Sequence, residues 1–136
     1  MANLTLQSCY ILDTLVCGLL PGETRTVAKH PQARPVYVSR IDRDRIRVDF
    51  RHEVNGTTLD NPSFMVRNTR SGYAIVSLQL YAFRIDGRRI DATAQTLHFD
   101  AISPGHVRAL DTALTNAKKM HGLTVDAGPR CIGANF

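Results

Sequence analysis

Lysine is nearly missing from this chain. Only Lys29, Lys118 and Lys119 stand beside fourteen arginines, so the net charge of +5 rests almost wholly on guanidinium groups. Cysteine is scarce as well. Cys9, Cys17 and Cys131 are odd in number and follow no metal-type spacing, which predicts reduced, buried thiols, or an inter-subunit disulfide as the one use of an odd count. No run approaches the ~20 apolar residues that a membrane crossing needs, so no membrane partner is expected. The apolar stretch from Cys9 to Leu20 is broken by Asp13 and carries no basic leader, which predicts no secretory signal and synthesis in a cytoplasm. Catalytic signatures are missing too: there is no G-x-S-x-G, no P-loop and no G-x-G-x-x-G. His30, His52, His98, His106 and His121 form no compact cluster, and Asp91 and Asp100 fall at opposite parity in one strand region. Neither a metal, a cofactor nor a carboxylate pair is expected, and the chain does not read as an enzyme.

What is present is a basic, arginine-rich globular chain. Its 136 residues, 43% hydrophobic and 21% charged, predict one domain with its own core. Arginine's planar fork suits phosphate, so a polyanionic partner fits the charge. Leu4 to Leu12 and Thr14 to Leu20 read as strands, followed by a turn at Pro21-Gly22 and further strands over Thr24 to Lys29 and Val36 to Ile41. Arg45 to Arg51 alternates strictly, setting Ile46, Val48 and Phe50 against Arg45, Arg47 and Arg51. That basic row suits either phosphate contact or the protection of a solvated edge. Asn55-Gly56 and Asn61-Pro62 mark turns before a strand over Ser63 to Asn68.

Two long strands follow, Tyr73 to Phe83 and Ile90 to Phe99. Side chains alternate faces along a strand, so Val76, Leu78, Leu80, Ala82, Ala92 and Ala94 form an oily row. Ser77, Gln79, Tyr81, Asp91, Thr93 and Gln95 form a polar one. A three-residue loop, Asp86-Gly87-Arg88, pairs Leu80 with Ala94 and keeps the rows apart. Ser103-Pro104 then predicts a capped helix with Val107, Leu110, Leu114 and Ala117 at helical spacing, ended by Gly122. A tail follows, with a short helix around Arg130 to Ala134. The predicted class is α+β in a single domain over 1–136: an N-terminal β region at 1–35, a sheet at 36–100 and a helical segment at 103–136. One helix covers about three strands. The sheet's oily face therefore calls for a second layer, and the economical source is a second copy whose dimer interface uses Val107, Leu110, Leu114 and Ala117.

Two family likenesses arise from these residues. Arg43-x-x-x-Arg47 followed by Arg67-Asn-Thr-Arg-Ser-Gly72 resembles the arginine and D/N-x-S-x-x-G elements of the PilZ cyclic-dinucleotide domain, although Arg67 and Thr69 depart from that pattern. It implies a small β-rich nucleotide- or RNA-binding module.

The fuller likeness is to the coat protein of single-stranded RNA bacteriophages, the levivirus family. Phe64 to Leu80 is similar to that family's paired central strands. Ala94 to Ser103 resembles its last strand and helix cap, and His106 to Ala117 its first helix, while Gly133-Ala-Asn-Phe136 is similar to its aromatic C-terminus. The resemblance implies an N-terminal β-hairpin, a sheet and intertwined helices in a homodimer. Dimers of that family build an icosahedral shell that packages single-stranded RNA, often recognising a hairpin that also represses replicase translation. It further implies a virion location and an RNA-contacting set of Arg67, Ser77, Gln79, Tyr81, Arg89, Asp91, Thr93 and Gln95. Tyr81 would stack on an unpaired base, and Arg67 and Arg89 would meet phosphate or stack. The chain departs from many relatives in its short connection around Ile85 to Arg89.

Overall fold

Alternating apolar and polar residues build strands through the middle of the chain, and two apolar-striped segments build helices at either end. The computed structural model describes residues 3–50, 53–54, 57–58, 62–80, 83–85, 88–90 and 95–125. In chain order the elements are α1 (Leu6–Val16), β1 (Thr24–Val27), β2 (Val36–Arg40), β3 (Arg45–Phe50), β4 (Glu53–Val54) and β5 (Thr57–Thr58). There follow β6 (Pro62–Thr69), β7 (Gly72–Leu80), β8 (Phe83–Ile85), β9 (Arg88–Ile90), β10 (Gln95–His98), a 3-10 turn at Phe99–Ala101, and α2 (Pro104–His121). The main sheet runs β1-β2-β3-β6-β7-β10 with every neighbour antiparallel. It is a meander interrupted twice by short hairpins, and these pair with each other as a separate sheet, β4-β5-β8-β9. The class is α+β. The Arg67–Gly72 stretch that carries the PilZ likeness is the β6–β7 hairpin of an open sheet, with β1 and β10 as its edges.

The N-terminal strands expected at Leu4 to Leu12 and Thr14 to Leu20 are replaced by the helix α1, so the described residues of 1–35 hold a helix and the one strand β1 rather than a β-hairpin. Thr5 caps α1 by accepting from Ser8 N at 3.2 Å, and Cys9, Leu12, Leu15 and Val16 share its buried side. Tertiary contacts hold both ends of its dipole. Asp111 of α2 accepts from Thr5 N at 3.2 Å, Thr5 Oγ1 at 3.1 Å and Ser8 Oγ at 2.5 Å, placing an anion at the positive end. At the negative end Arg25 Nη1 donates to Leu15 O at 2.7 Å, Arg40 Nε to Leu19 O at 2.6 Å and Arg40 Nη2 to Val16 O at 3.2 Å.

α1 also answers the burial problem differently. One core cluster joins its Leu12, Leu15 and Val16 with Val38, Val48, Phe64 and Ile75 of the sheet and with Val107, Leu110, Leu114 and Ala117 of α2. The helix face assigned to a dimer interface is thus covered by the chain's own α1 and sheet; Leu110 and Leu114 are 0% exposed without any second copy. α2 keeps its expected limits: Ser103 accepts from His106 N, Pro104 opens the first turn, and Gly122 ends it in the left-handed region at φ 63°.

Two corrections concern strand parity. A β-bulge falls opposite Met65/Val66: Met65 pairs with Ser77 but Val66 with Ile75, leaving Val76 as the extra residue. Core positions therefore pass from Tyr73 and Ile75 to Leu78, and Val76 does not join Leu78 in one oily row. Next, β7 pairs with β10 so that Leu80 meets Gln95 and Leu78 meets Leu97, not Leu80 with Ala94. The hairpin at Asp86-Gly87 closes between Ile85 and Arg88, two residues apart rather than three, and belongs to the second sheet. Ala82, Ala92, Ala94 and the helix expected at Arg130 to Ala134 lie outside the described residues, as does Gly133 to Phe136.

Cys9 is a buried free thiol, as expected, and sits against the β6–β7 hairpin, where a Cβ on Gly72 (φ 124°) would come within 3.0 Å of its sulfur. Cys17 departs from the expectation of a reduced thiol: it is disulfide-bonded. Cys131 lies outside the described residues.

Candidate nucleic-acid interface

Both helices pack on one face of the six-stranded sheet; on the other, polar face, the residues of the two rows that cross all six strands are half-buried or exposed, except Ser63, which is buried. The register draws its rows directly, because residues paired across antiparallel strands share a face. One row crosses all six strands as Thr26, Tyr37, Asp49, Ser63, Gln79 and Thr96. The next runs Thr24, Ser39, Arg47, Met65, Ser77 and His98. Beyond these, Arg45 stands opposite Arg67. Hydroxyls, an amide, an imidazole, one half-buried tyrosine and three arginines make up most of this face.

Arginine's placement separates structural from available charge. Within the run Arg40, Arg43, Arg45, Arg47 and Arg51, Arg40 points into the core at 1% exposure and serves α1. Arg45 is held in the β2–β3 turn by Asp42, at 2.7 Å from Nη2 and 2.7 Å from Nε. That hydrogen bond, with backbone N–H donors from Asp44 and Arg45, holds the Asp42 carboxyl below the usual carboxylate range. Arg47 is half-buried on the polar face, and Arg51 lies outside the described residues. Arg67 is exposed and has no carboxylate partner among the described residues.

The register sets Arg45 directly opposite Arg67, with Cβ atoms about 5 Å apart; Asp42 already answers Arg45, so Arg67 is the cation of the two that has no carboxylate partner among the described residues. In the second sheet Arg84 is the register partner of Arg89.

Of the residues expected to contact RNA, Arg67, Ser77 and Gln79 share the polar face. Arg89 falls in β9 of the second sheet, and Tyr81, Asp91 and Thr93 lie outside the described residues. Gln95 occupies the register position opposite Leu80, in the row of Leu78 and Leu97, so it leaves the polar row. Thr96 and His98, both exposed, take its place. Sequence reasoning passed over Tyr37, Ser39, Thr24 and Thr26; their signal was the alternation of β1 and β2 against Val36 and Val38.

No protein-family model matches the chain, no curated protein matches it, and no solved structure matches it.

Proposed function

We propose that this chain is an RNA-binding structural subunit of the coat type, whose polar sheet face and arginines contact single-stranded RNA. The observation that carries the proposal is the exposed Arg67, with no carboxylate partner among the described residues, standing beside Arg45, Arg47 and the hydroxyl rows on the sheet face away from the helices. Hydroxyl and amide rows beside those cations suit base edges and ribose, and Tyr37 offers a ring for stacking. The coat-type part draws on the resemblance over Phe64 to Ala117 and on the order of sheet, helix cap and helix. The helix at the N-terminus is where the chain departs from that family. In this role the subunits self-associate into a shell around the genome, in a virion made in a bacterial host.

Binding of a labelled RNA hairpin, followed by anisotropy across a salt series, tests the RNA contact. Affinity should fall steeply with salt, and Arg67→Ala and Arg89→Ala should each weaken it by about 1–3 kcal/mol. Salt-independent binding, or none, removes RNA from the proposal. Electron microscopy of an overexpressing lysate tests assembly: closed shells support the coat role. RNA binding by a protein that stays a small monomer at every salt concentration sinks the coat role and leaves a small RNA-binding module.

A further inference from the structure

A second surface lies away from the polar sheet face. Between α2 and the 32–36 segment runs a groove with a volume of about 820 Å³. Its floor is apolar: Val36 and Phe50, at the ends of β2 and β3, face Ala109, Ala113 and Ala117. Alanines four residues apart stack on one flank of a helix, so three methyl groups line a continuous track. From Arg108 to Met120 that track rises about 18 Å. Its size falls within the roughly 300–1,000 Å³ of small-molecule sites.

The rim is cationic. Arg34, Arg108 and Lys119 line it, and among the described residues no aspartate or glutamate does. None of the three forms an ion pair among the described residues. The wall opposite α2 is fixed in place by the buried His121, whose Nδ1 accepts from His30 N at 3.2 Å while Nε2 meets Arg34 O at 2.9 Å. A ring nitrogen that accepts a backbone N–H carries no proton, so the proton sits on Nε2 and is donated to Arg34 O. His121 thus ties the 30–34 loop to α2 along the groove.

We propose that this groove binds an anionic amphiphile, a single unbranched aliphatic chain lying on the alanine track with its carboxylate held by the rim arginines and lysine. A neutral lipid would leave three cations unanswered. A nucleotide finds no exposed ring to stack on, since Phe50 is 2% exposed. A second copy docking symmetrically by the same flank would set these cations against their own duplicates. An aliphatic carboxylate satisfies the floor and the rim together. The proposal stands independently of the RNA contact on the opposite face.

Titration calorimetry on the full chain tests it, with dodecanoate below its micellar concentration and with dodecyltrimethylammonium and butanoate as comparisons. Dodecanoate should bind saturably at one site, and the cationic and short-chain probes should not. Arg108→Gln combined with Lys119→Gln should weaken dodecanoate more than tenfold, and Ala109→Trp, which fills the groove from an exposed position, should abolish binding. Circular dichroism of both variants should stay that of the parent. No saturable dodecanoate heat, equal affinity for the cationic probe, or unchanged binding by folded Ala109→Trp overturns the proposal. So does dodecanoate affinity that falls as protein concentration rises, which would place a second copy in the groove, or displacement of dodecanoate by oligouridylate, which would assign its cations to nucleic acid.

Discussion

At the residue scale, identical side chains divide into opposite roles according to what they face. Arg40 is buried and spends its donors on the carbonyls of Val16 and Leu19, so removing it leaves acceptors at a helix end without their cation. Arg40→Met should cost about 3 kcal/mol in urea unfolding, the range for a broken buried charge contact. Arg67→Met should change stability by less than about 0.5 kcal/mol, because the side chain is exposed and has no carboxylate partner among the described residues. The two substitutions should separate again in RNA binding, where Arg67→Met is the damaging one. Asp42 gives the pH counterpart. Its folded-state carboxyl titrates below its unfolded value, so its contribution is present above the ordinary carboxylate range and is lost as pH falls through the lowered one. Asp42→Asn should therefore lower stability slightly at neutral pH and leave it unchanged in strong acid, which flattens the acid limb of the profile below about pH 4; an unaltered acid limb would show that the turn contact is lost in solution.

At the element scale, what could be read from the sequence tracks how local the determinants are. α2 carries its own limits, a serine cap, a first-turn proline and a left-handed glycine, and all three were legible. α1 carries only half of its own. Its N-cap Thr5 and the spacing of Cys9, Leu12, Val16 and Leu19 were present in the chain, but short runs rich in Ile, Leu and Val also suit strands. The charges that settle it come from Asp111, Arg25 and Arg40. The phase slip in β7 was likewise visible, since the large side chains fall at Tyr73, Ile75, Leu78 and Leu80, an odd pair and then an even pair. A single alternating row across Val76 ignored it. Parity on β10 then failed because β8 and β9 leave the main sheet for their own, so no hairpin loop sets the β7–β10 register; Leu80 meets Gln95, and Thr96 and His98 take the place of Gln95 in the polar rows. If Asp111 holds the N-terminus of α1 as its three contacts indicate, Asp111→Asn should lower the melting temperature by the few degrees that about 1 kcal/mol represents. Leu12→Ala, at a site 0% exposed, should cost about 2–5 kcal/mol. Both effects would vanish if residues 6 to 16 formed a surface hairpin.

At the scale of the whole molecule, the question is which face a partner would meet. Expecting a second copy to cover the oily side assumed that the chain had one helix to spend there; with α1 in place, two helices close that side and the polar side is left. Self-association, if the chain builds a shell, must then use surfaces other than Val107, Leu110, Leu114 and Ala117. Protein concentration discriminates the two arrangements. When a residue is buried within one chain, truncating it shifts the urea midpoint by the same amount at every concentration. When it is buried between chains, both the parent and the variant unfold at midpoints that climb with concentration, because association stabilises the folded state by mass action. Leu114→Ala should lower stability by about 2–5 kcal/mol, with a displacement that stays constant across a hundredfold range of protein. A displacement that shrinks or grows along that range would return the α2 face to an interface and make α1 a secondary layer.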